Sequence, residues 1–305
     1  MTRKSIKDIS LVLGSGGARG LAHIGAIRVL EAHGLQIRSL AGSSMGALIA
    51  GFYAAGKLDD YEAWVRELTE FNVLRFLDIA WGGSGMLKGD MLMGTLKDFI
   101  GDHRIEDLPI PLTIVATDVR ARKEVWINEG SLFDAIRATI AVPTVFTPHL
   151  IKGRQLLDGG ILNPVPIAPT LQDTTDAIIA VSVSGEPKKL KPPSQQVKTA
   201  DKPERQRSVY RKHIDQFIDN LQDRLGLNGK DEDTEQLSLA DAAMLSIDTM
   251  EASIARCKLA AYPPDLLIEV PINTCGAHEF YRAREVIAAG EYWTEQALVR
   301  FNGED

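Results

Sequence analysis

The chain of 305 residues has 34 basic and 41 acidic side chains, a formal net charge of −7 at pH 7, and 45% hydrophobic residues. These proportions are typical of an ordinary globular protein, and the acidic balance argues against a dedicated nucleic-acid binder, which needs a strongly basic face. The uncharged stretch Leu40–Gly56 is interrupted by serines and glycines, so it is a poor candidate for the ~20 apolar residues of a membrane span.

The first predicted elements form a β-α-β unit. Ile9–Leu13 is a short apolar run that ends in glycines, as a strand does when it enters a tight turn. From Gly20 to His33 apolar residues recur at helical spacing, and Gly34 follows as a C-terminal cap. Ile37–Gly42 is the second strand. Because a helix connects the two strands, we expect them to be parallel, with a right-handed crossover.

Strands and helices continue to alternate through the first 185 residues. The further predicted strands and the helix among them are Leu112–Val119, Val125–Ile127, a strand ending at "RQLL", Ala177–Ser184, and the helix Ser131–Ile140. This order predicts a layered α/β fold around a mostly parallel sheet.

The composition changes after Gly185. Lys188–Lys212 contains nine basic residues, two acidic residues and three prolines. We therefore expect a catalytic core at 1–187, a charged linker or insertion at 188–235, and C-terminal helices and a strand at 236–305 that complete the same domain. Contact of the basic segment with anionic lipid head groups is the alternative interpretation.

The C-terminal part is predicted to contain an amphipathic helix around residues 243–254, a strand at "LLIEVPI", and a helix from Phe280 to Leu298 that is broken near Gly290. The polar start "MTRKSIKDIS" lacks an apolar signal core. We therefore expect a cytoplasmic protein, with peripheral contact at a membrane left open.

The sequence Gly42-Ser43-Ser44-Met45-Gly46 fits G-x-S-x-G, the nucleophile elbow, in which a serine stands at a sharp strand-to-helix turn. The pattern alone is weak, because glycine and serine are common in turns and a capping serine is the simpler interpretation. A strand before the motif and an apolar helix after it favour the elbow.

A glycine-rich loop, Gly14–Gly20, follows the first strand. Parallel neighbouring strands bring this loop and Ser44 to the same sheet edge, so the N–H groups of Gly16 and Gly17 could face an oxyanion above Ser44. Arg19 adds a positive charge beside the loop. A dinucleotide-binding G-x-G-x-x-G loop is the rival interpretation, but Arg19 stands where its last glycine is required.

A serine nucleophile needs a base. The sequence offers Asp158, at a strand end before two glycines, or one of six histidines. The histidines are His23, His33, His103, His149, His213 and His278. His23 lies near the glycine loop and His278 at the late position of a Ser…Asp…His order, whereas the simpler interpretation of Asp158 is an Asp-Gly turn.

Three motifs in this order and spacing, "GSGGARG", "GSSMG" and "DGG", resemble those of the patatin-like phospholipase family. The similarity extends through roughly residues 9–185 and 262–298. It implies a three-layer α/β/α sandwich with Ser44 as nucleophile and Asp158 as base, without histidine. It also implies an oxyanion hole in the glycine loop, which we assign to Gly16, Gly17, Ala18 and Arg19. Gly14, Gly42, Gly46, Gly159 and Gly160 support the motifs.

The resemblance implies lipid acyl esters as substrates and neither a metal nor another cofactor. The apolar stretch Phe76–Leu96, with Met86, Met91 and Met93, either lines an acyl pocket or covers it, or is an amphipathic helix packed on the sheet. A catalytically idle lipid-binding or regulatory protein on the same scaffold, and a dinucleotide-dependent enzyme, are the alternative functions.

Overall fold

The structure is a computed structural model that describes residues 6–76, 90–143, 145–188 and 239–303. Residues 1–190 and 243–305 form one compact unit by their contacts, and all interactions described below lie in this unit. The predicted linker at 188–235 lies outside the described residues apart from Lys188, so the domain boundaries stay a prediction. Residues 77–89 of the apolar stretch Phe76–Leu96, with Met86, also lie outside them.

Eight strands form one sheet in the described part of the chain. The strands are β1 Asp8–Leu13, β2 Gln36–Ser43, β3 Leu112–Asp118, β4 Lys123–Ile127, β5 His149–Ile151, β6 Arg154–Leu157, β7 Ala177–Gly185 and β8 Leu266–Pro271. Their order is β5-β6-β3-β2-β1-β7-β8, with β4 paired to β3. The five strands β3, β2, β1, β7 and β8 are parallel, whereas β4, β5 and β6 pair in antiparallel fashion.

Helices cover the sheet. The described helices are α1 Ala22–Ala32, α2 Met45–Ala54, α3 Leu58–Arg66, α4 Glu70–Phe76, α5 Asp90–Ile100, α6 Leu132–Thr139, α7 Leu239–Ala261 and α8 Ala283–Asn302. On β1, Leu11 and Leu13 join a large core with α1, α2, α6 and α8. Val12 points the other way and joins a smaller core with Ala255 of α7. Because successive side chains of a strand alternate between faces, the sheet is buried on both sides.

The predicted fold class is confirmed, since a mostly parallel sheet lies between flanking helices. The predicted strands and the helices α1 and α6 form within two residues of their expected bounds, and α2 follows the elbow motif as expected. Within the apolar stretch, residues 90–96 begin α5, where Met93 and Leu96 are buried in the core and Met91 is partly exposed. This part of the stretch therefore packs as an amphipathic helix.

The predicted break near Gly290 is wrong, because α8 runs without interruption from Ala283 to Asn302. A side chain at Gly290 would meet the carbonyl oxygen of Ala22 at 2.0 Å, and one at Gly25 would meet the carbonyl oxygen of Ile287 at 2.1 Å. The two glycines let α1 and α8 approach closely. Gly290 is thus a packing residue rather than a helix breaker.

The register of β3 explains how two distant segments meet. β2 and β6 pair along the same edge of β3, because β4 occupies the other edge over residues 114–118. Ser43 pairs with Val115, and Leu157 pairs with Thr117 from the opposite direction. The two strands therefore face each other end to end, and the residues that follow them, Ser44 and Asp158, meet beside β3.

The close approach of α1 and α8 gives a test. Gly290→Ala should lower the free energy of unfolding by about 1–3 kcal/mol, since the added methyl group overpacks the contact with Ala22. Gly94→Ala is the matched control within a helix, because a side chain at Gly94 would meet no atom of the described residues within 4 Å. Its unfolding free energy should rise by up to about 1 kcal/mol. Urea unfolding measures both, and a Gly290→Ala variant as stable as Gly94→Ala would contradict the packing role.

Candidate active site

Ser44 lies at the turn between β2 and α2 in a strained conformation. Its φ is 52° and its ψ is −125°, and it is one of three non-glycine residues with positive φ in the described part of the chain. Such a conformation costs about 1–3 kcal/mol. A side chain at Gly46 would meet the carbonyl oxygen of Leu13 at 2.1 Å, and one at Gly42 would meet the Cα of Ala47 at 2.6 Å. The small neighbours therefore make room for the turn, as the elbow pattern predicts.

Thr139, at the end of α6, stabilises the strained turn by hydrogen bonds. Its hydroxyl accepts a hydrogen bond from the backbone N–H of Ser44 at 2.9 Å and donates one to the carbonyl oxygen of Val115 at 2.5 Å. Thr139 is fully buried, so this chain of bonds is shielded from water. It links the serine to β3, and Asp158 lies beside the same strand.

The hydroxyl of Ser44 donates a hydrogen bond to Oδ2 of Asp158 at 2.5 Å. The other carboxylate oxygen, Oδ1, accepts a bond from the N–H of Gly160 at 2.7 Å. Both side chains are buried, with Ser44 6% and Asp158 2% exposed. The carboxylate is therefore fixed in orientation, with one oxygen held by the backbone and the other facing the serine.

The two glycines after Asp158 are required by space. A side chain at Gly159 would meet the carbonyl oxygen of Val115 at 2.0 Å, and one at Gly160 would meet Glu251 Oε2 at 2.8 Å. Neither glycine has a positive φ. Crowding by neighbouring atoms, rather than an unusual φ, therefore explains why glycine stands at both positions.

Burial raises the pKa of Asp158 from its ordinary value near 3.8 to about 7, against the opposing effect of the bonds from Ser44 and Gly160. Removing a carboxylate from water disfavours its charged form. An aspartate with a pKa near 7 accepts a proton far more readily than an exposed one, and it is present in both protonation states near neutral pH.

No histidine in the described ranges hydrogen-bonds Ser44. His23 is fully buried, its Nε2 bonds the carbonyl oxygen of Gly14 at 2.8 Å, and burial lowers its pKa to about 4. It is thus a neutral ring that supports the glycine loop. His33 pairs with Glu295 and His149 pairs with Asp134, both through exposed or partly exposed groups. His213 lies outside the described residues.

Backbone contacts fix the glycine loop above β1. The N–H of Gly14 donates to Val181, that of Ser15 to Pro164, and that of Ala18 to the carbonyl oxygen of Ala277, at 2.8–3.0 Å. The sequence places the Ala18 amide in the oxyanion hole, but its proton is used elsewhere in this structure, so that prediction is corrected.

Two amides of this loop remain available. Gly16 and Gly17 have φ values of 155° and 56°, which a residue with a side chain rarely adopts. No hydrogen bond within the described residues engages their N–H groups. Of the four residues that the sequence assigns to the oxyanion hole, Gly16 and Gly17 therefore have amides that are free to bind an anion.

Arg19 is 6% exposed and does not point to open solvent. Its guanidinium donates to the carbonyl oxygen of Gly16 at 3.3 Å and to Oδ2 of Asp248 on α7 at 3.2 Å. The side chain therefore bonds the backbone of the glycine loop, and Asp248 balances its charge. Binding of an oxyanion by the guanidinium itself is not what this geometry favours.

The comparison with known families decides the classification. A family model described as Patatin-like phospholipase matches residues 11–171, more than half of the chain, including the glycine loop, Ser44 and Asp158. The chain belongs to the patatin-like phospholipase family. The resemblance found in the sequence is thereby confirmed, and membership favours a hydrolase that acts on lipids.

Individual relatives agree with this family. Uncharacterized NTE family proteins of Mycobacterium bovis and Mycobacterium tuberculosis are each 39% identical over 334 residues, covering 97% of this chain and 93% of the relative. A neuropathy target esterase of Drosophila melanogaster is 32% identical over 187 residues, or 59% of this chain and 13% of the fly protein. Among solved structures, VipD from Legionella pneumophila aligns with a TM-score of 0.48 at 15% identity, covering 98% of this chain and 67% of that chain.

Two side chains at the site were missed in the sequence. Thr139 lies in the predicted helix Ser131–Ile140, but only the packing of α6 reveals that its hydroxyl reaches Ser44. Glu251 lies in α7, more than 90 residues after Asp158, and its carboxylate accepts a bond from Ser15. No local pattern marks either residue. In the described part of the chain, no helix is both long and apolar enough to cross a membrane.

The burial of Asp158 predicts a pH-dependent stability. Between the ordinary pKa near 3.8 and the folded pKa of about 7, the folded protein holds a proton that the unfolded chain loses, so stability falls as pH rises. Asp158→Asn removes this loss. Its free energy of unfolding should nearly match that of wild type near pH 4 and exceed it by about 4 kcal/mol at pH 8. Chemical unfolding at the two pH values measures the difference, and an equal difference at both would contradict it.

Proposed function

We propose that the chain is a lipid acyl hydrolase, of the phospholipase A, lysophospholipase or carboxylesterase type, that acts through Ser44, Asp158 and an acyl-enzyme intermediate. The observation that carries this proposal is the 2.5 Å hydrogen bond from the Ser44 hydroxyl to a buried carboxylate. Membership in the patatin-like phospholipase family supports the ester of a lipid as the substrate class.

In the first half-reaction, Ser44 Oγ attacks the ester carbonyl carbon while its proton passes to Oδ2 of Asp158. The carbonyl oxygen becomes an oxyanion, which the amides of Gly16 and Gly17 stabilise. Each such donor typically contributes roughly 3 kcal/mol in the transition state. Asp158 then gives the proton to the leaving alcohol, and the acyl group remains on Ser44.

In the second half-reaction, Asp158 takes a proton from water, which attacks the acyl carbon through the same oxyanion. The proton returns to Ser44 Oγ as the fatty acid leaves. The raised pKa of Asp158 suits both steps, because a group with pKa near the working pH accepts and releases a proton at low cost.

The available amides of Gly16 and Gly17 also bear on the rival dinucleotide interpretation of this loop. Their loop follows β1, the parallel neighbour of the strand that precedes Ser44, and Arg19 is bound to Asp248 instead of being free for a phosphate. Together with the family assignment, this favours the oxyanion role over cofactor binding.

Replacement of the two dyad residues tests the proposal. Ser44→Ala and Asp158→Asn should each lower kcat for a short p-nitrophenyl ester by about a thousandfold or more. A fluorophosphonate probe should label wild type but not Ser44→Ala. The activity of wild type should rise with pH through about 7, as Asp158 becomes ionised.

Ser43→Ala is the matched control, since the buried hydroxyl of Ser43 has no hydrogen-bond partner within the described residues. This variant should keep its activity within about threefold and its stability, because no bond is lost. His278→Gln should also remain active. An inactive His278→Gln beside an active Asp158→Asn would overturn the assignment of the base.

A further inference from the structure

Glu251 of α7 joins two segments of the candidate site. Its Oε2 accepts a hydrogen bond from the hydroxyl of Ser15, in the glycine loop, at 3.0 Å. A side chain added at Gly160 would meet Oε2 at 2.8 Å and Oε1 at 2.9 Å, and the Cβ of Ser15 at 2.9 Å. The carboxylate thus lies flat against the turn after Asp158. It fills the space between the loop that carries the free amides and the turn that carries the base.

The carboxyl group of Glu251 has no ion-pair partner among the described residues. Arg19 lies nearby, but its guanidinium is bound to Asp248, one turn earlier on α7. Burial, and then the negative charge of Asp158, raise the pKa of Glu251 to about 8. At neutral pH the side chain is therefore a neutral acid, which can bond Ser15 without opposing the charge on Asp158.

We propose that Glu251 is a positioning residue for the reaction, which sets the distance between the glycine loop and Asp158. The inference rests on the hydrolase function proposed above. Through Ser15, Glu251 acts on the neighbouring amides of Gly16 and Gly17. Through its contact with Gly160, it acts on the backbone N–H that orients the carboxylate of Asp158.

The charged groups around Glu251 determine what its ionisation does. Asp158, from the turn after β6, and Asp248, on α7 itself, disfavour a negative charge at this place, whereas Arg19 of the glycine loop favours it. Once Glu251 ionises above about pH 8, a second negative charge lies beside Asp158. The two like charges repel each other, which opposes the close contact of Glu251 with the turn after Asp158, so the reaction should slow. Because the two carboxyl groups interact, the loss of activity at alkaline pH reflects the ionisation of Asp158 and Glu251 as a pair and not of Glu251 alone.

A pair of substitutions separates the positioning role from a structural one. Glu251→Gln keeps the shape and a hydrogen-bond acceptor for Ser15 but cannot ionise. Glu251→Ala removes the contact with Ser15 and Gly160. The control is Glu295→Gln. Glu295 is a partly exposed residue of α8 whose carboxylate pairs with His33 at the far end of α1. For each protein, kcat and KM for a short p-nitrophenyl ester are measured from about pH 6 to 10, with thermal unfolding alongside.

We expect wild type and Glu295→Gln to lose activity above about pH 8, whereas Glu251→Gln keeps its activity to higher pH and matches wild type within about twofold at pH 7. Glu251→Ala should lower kcat about tenfold with KM changed less than about threefold. An alkaline limb that is the same in wild type and Glu251→Gln, or full kcat in Glu251→Ala, would overturn the inference.

Ser44→Ala in the same series keeps the two proposals apart. If Ser44→Ala is inactive while the Glu251 variants behave like wild type, the hydrolase function stands and the role of Glu251 fails. If Ser44→Ala retains the activity of wild type, the reaction does not run through Ser44, and both proposals fail. If Glu251→Ala unfolds, the activity of Glu251→Gln at alkaline pH alone tests the role of Glu251, because this variant keeps the shape that contacts Ser15 and Gly160.

Discussion

The hydrogen bond between Ser44 and Asp158 depends on a property of one strand, β3. This strand offers a single edge to two partners, which approach along it from opposite ends. A parallel strand, β2, delivers the serine, and an antiparallel strand, β6, delivers the aspartate. Because both are bonded to the same backbone, the distance between the two side chains is fixed by the strand register rather than by flexible loops. Slippage of either strand by one residue would turn its side chains to the other face and separate the pair.

Dense packing around this meeting point is the second constraint. Gly42, Gly46, Gly159 and Gly160 each lie against backbone or side-chain atoms at distances that leave no room for a methyl group. The same packing excludes water from Asp158, and it is this exclusion that raises the pKa of the carboxyl group. Stability is given up in the process, since a buried carboxylate and a serine with positive φ both oppose folding. The large core of α1, α2, α6 and α8 on one face of the sheet offsets that cost.

The opposite face of the sheet contributes differently. There α7 brings two acidic residues to the back of the glycine loop, where Asp248 holds Arg19 and Glu251 holds Ser15. These contacts fix a loop whose glycines would otherwise be mobile. The loop, the turn after Asp158 and α7 thus form one polar cluster, in which the negative charge of Asp158 helps to raise the pKa of Glu251. The C-terminal part of the chain, outside the matched region 11–171, is for this reason part of the site.

The sequence by itself determined the α/β class, most strands, and the motifs around Ser44 and Asp158, because strand periodicity, turn glycines and the elbow pattern are local signals. The family resemblance added the pairing of the two residues, which spacing alone left open between Asp158 and the histidines. Only the tertiary structure decided the continuity of α8 through Gly290, the engagement of the Ala18 amide with Ala277, and the hydrogen bonds of Thr139 with Ser44 and of Glu251 with Ser15. Each of these depends on a contact between segments distant in the chain, and such contacts leave no periodic or compositional trace in the residues that make them.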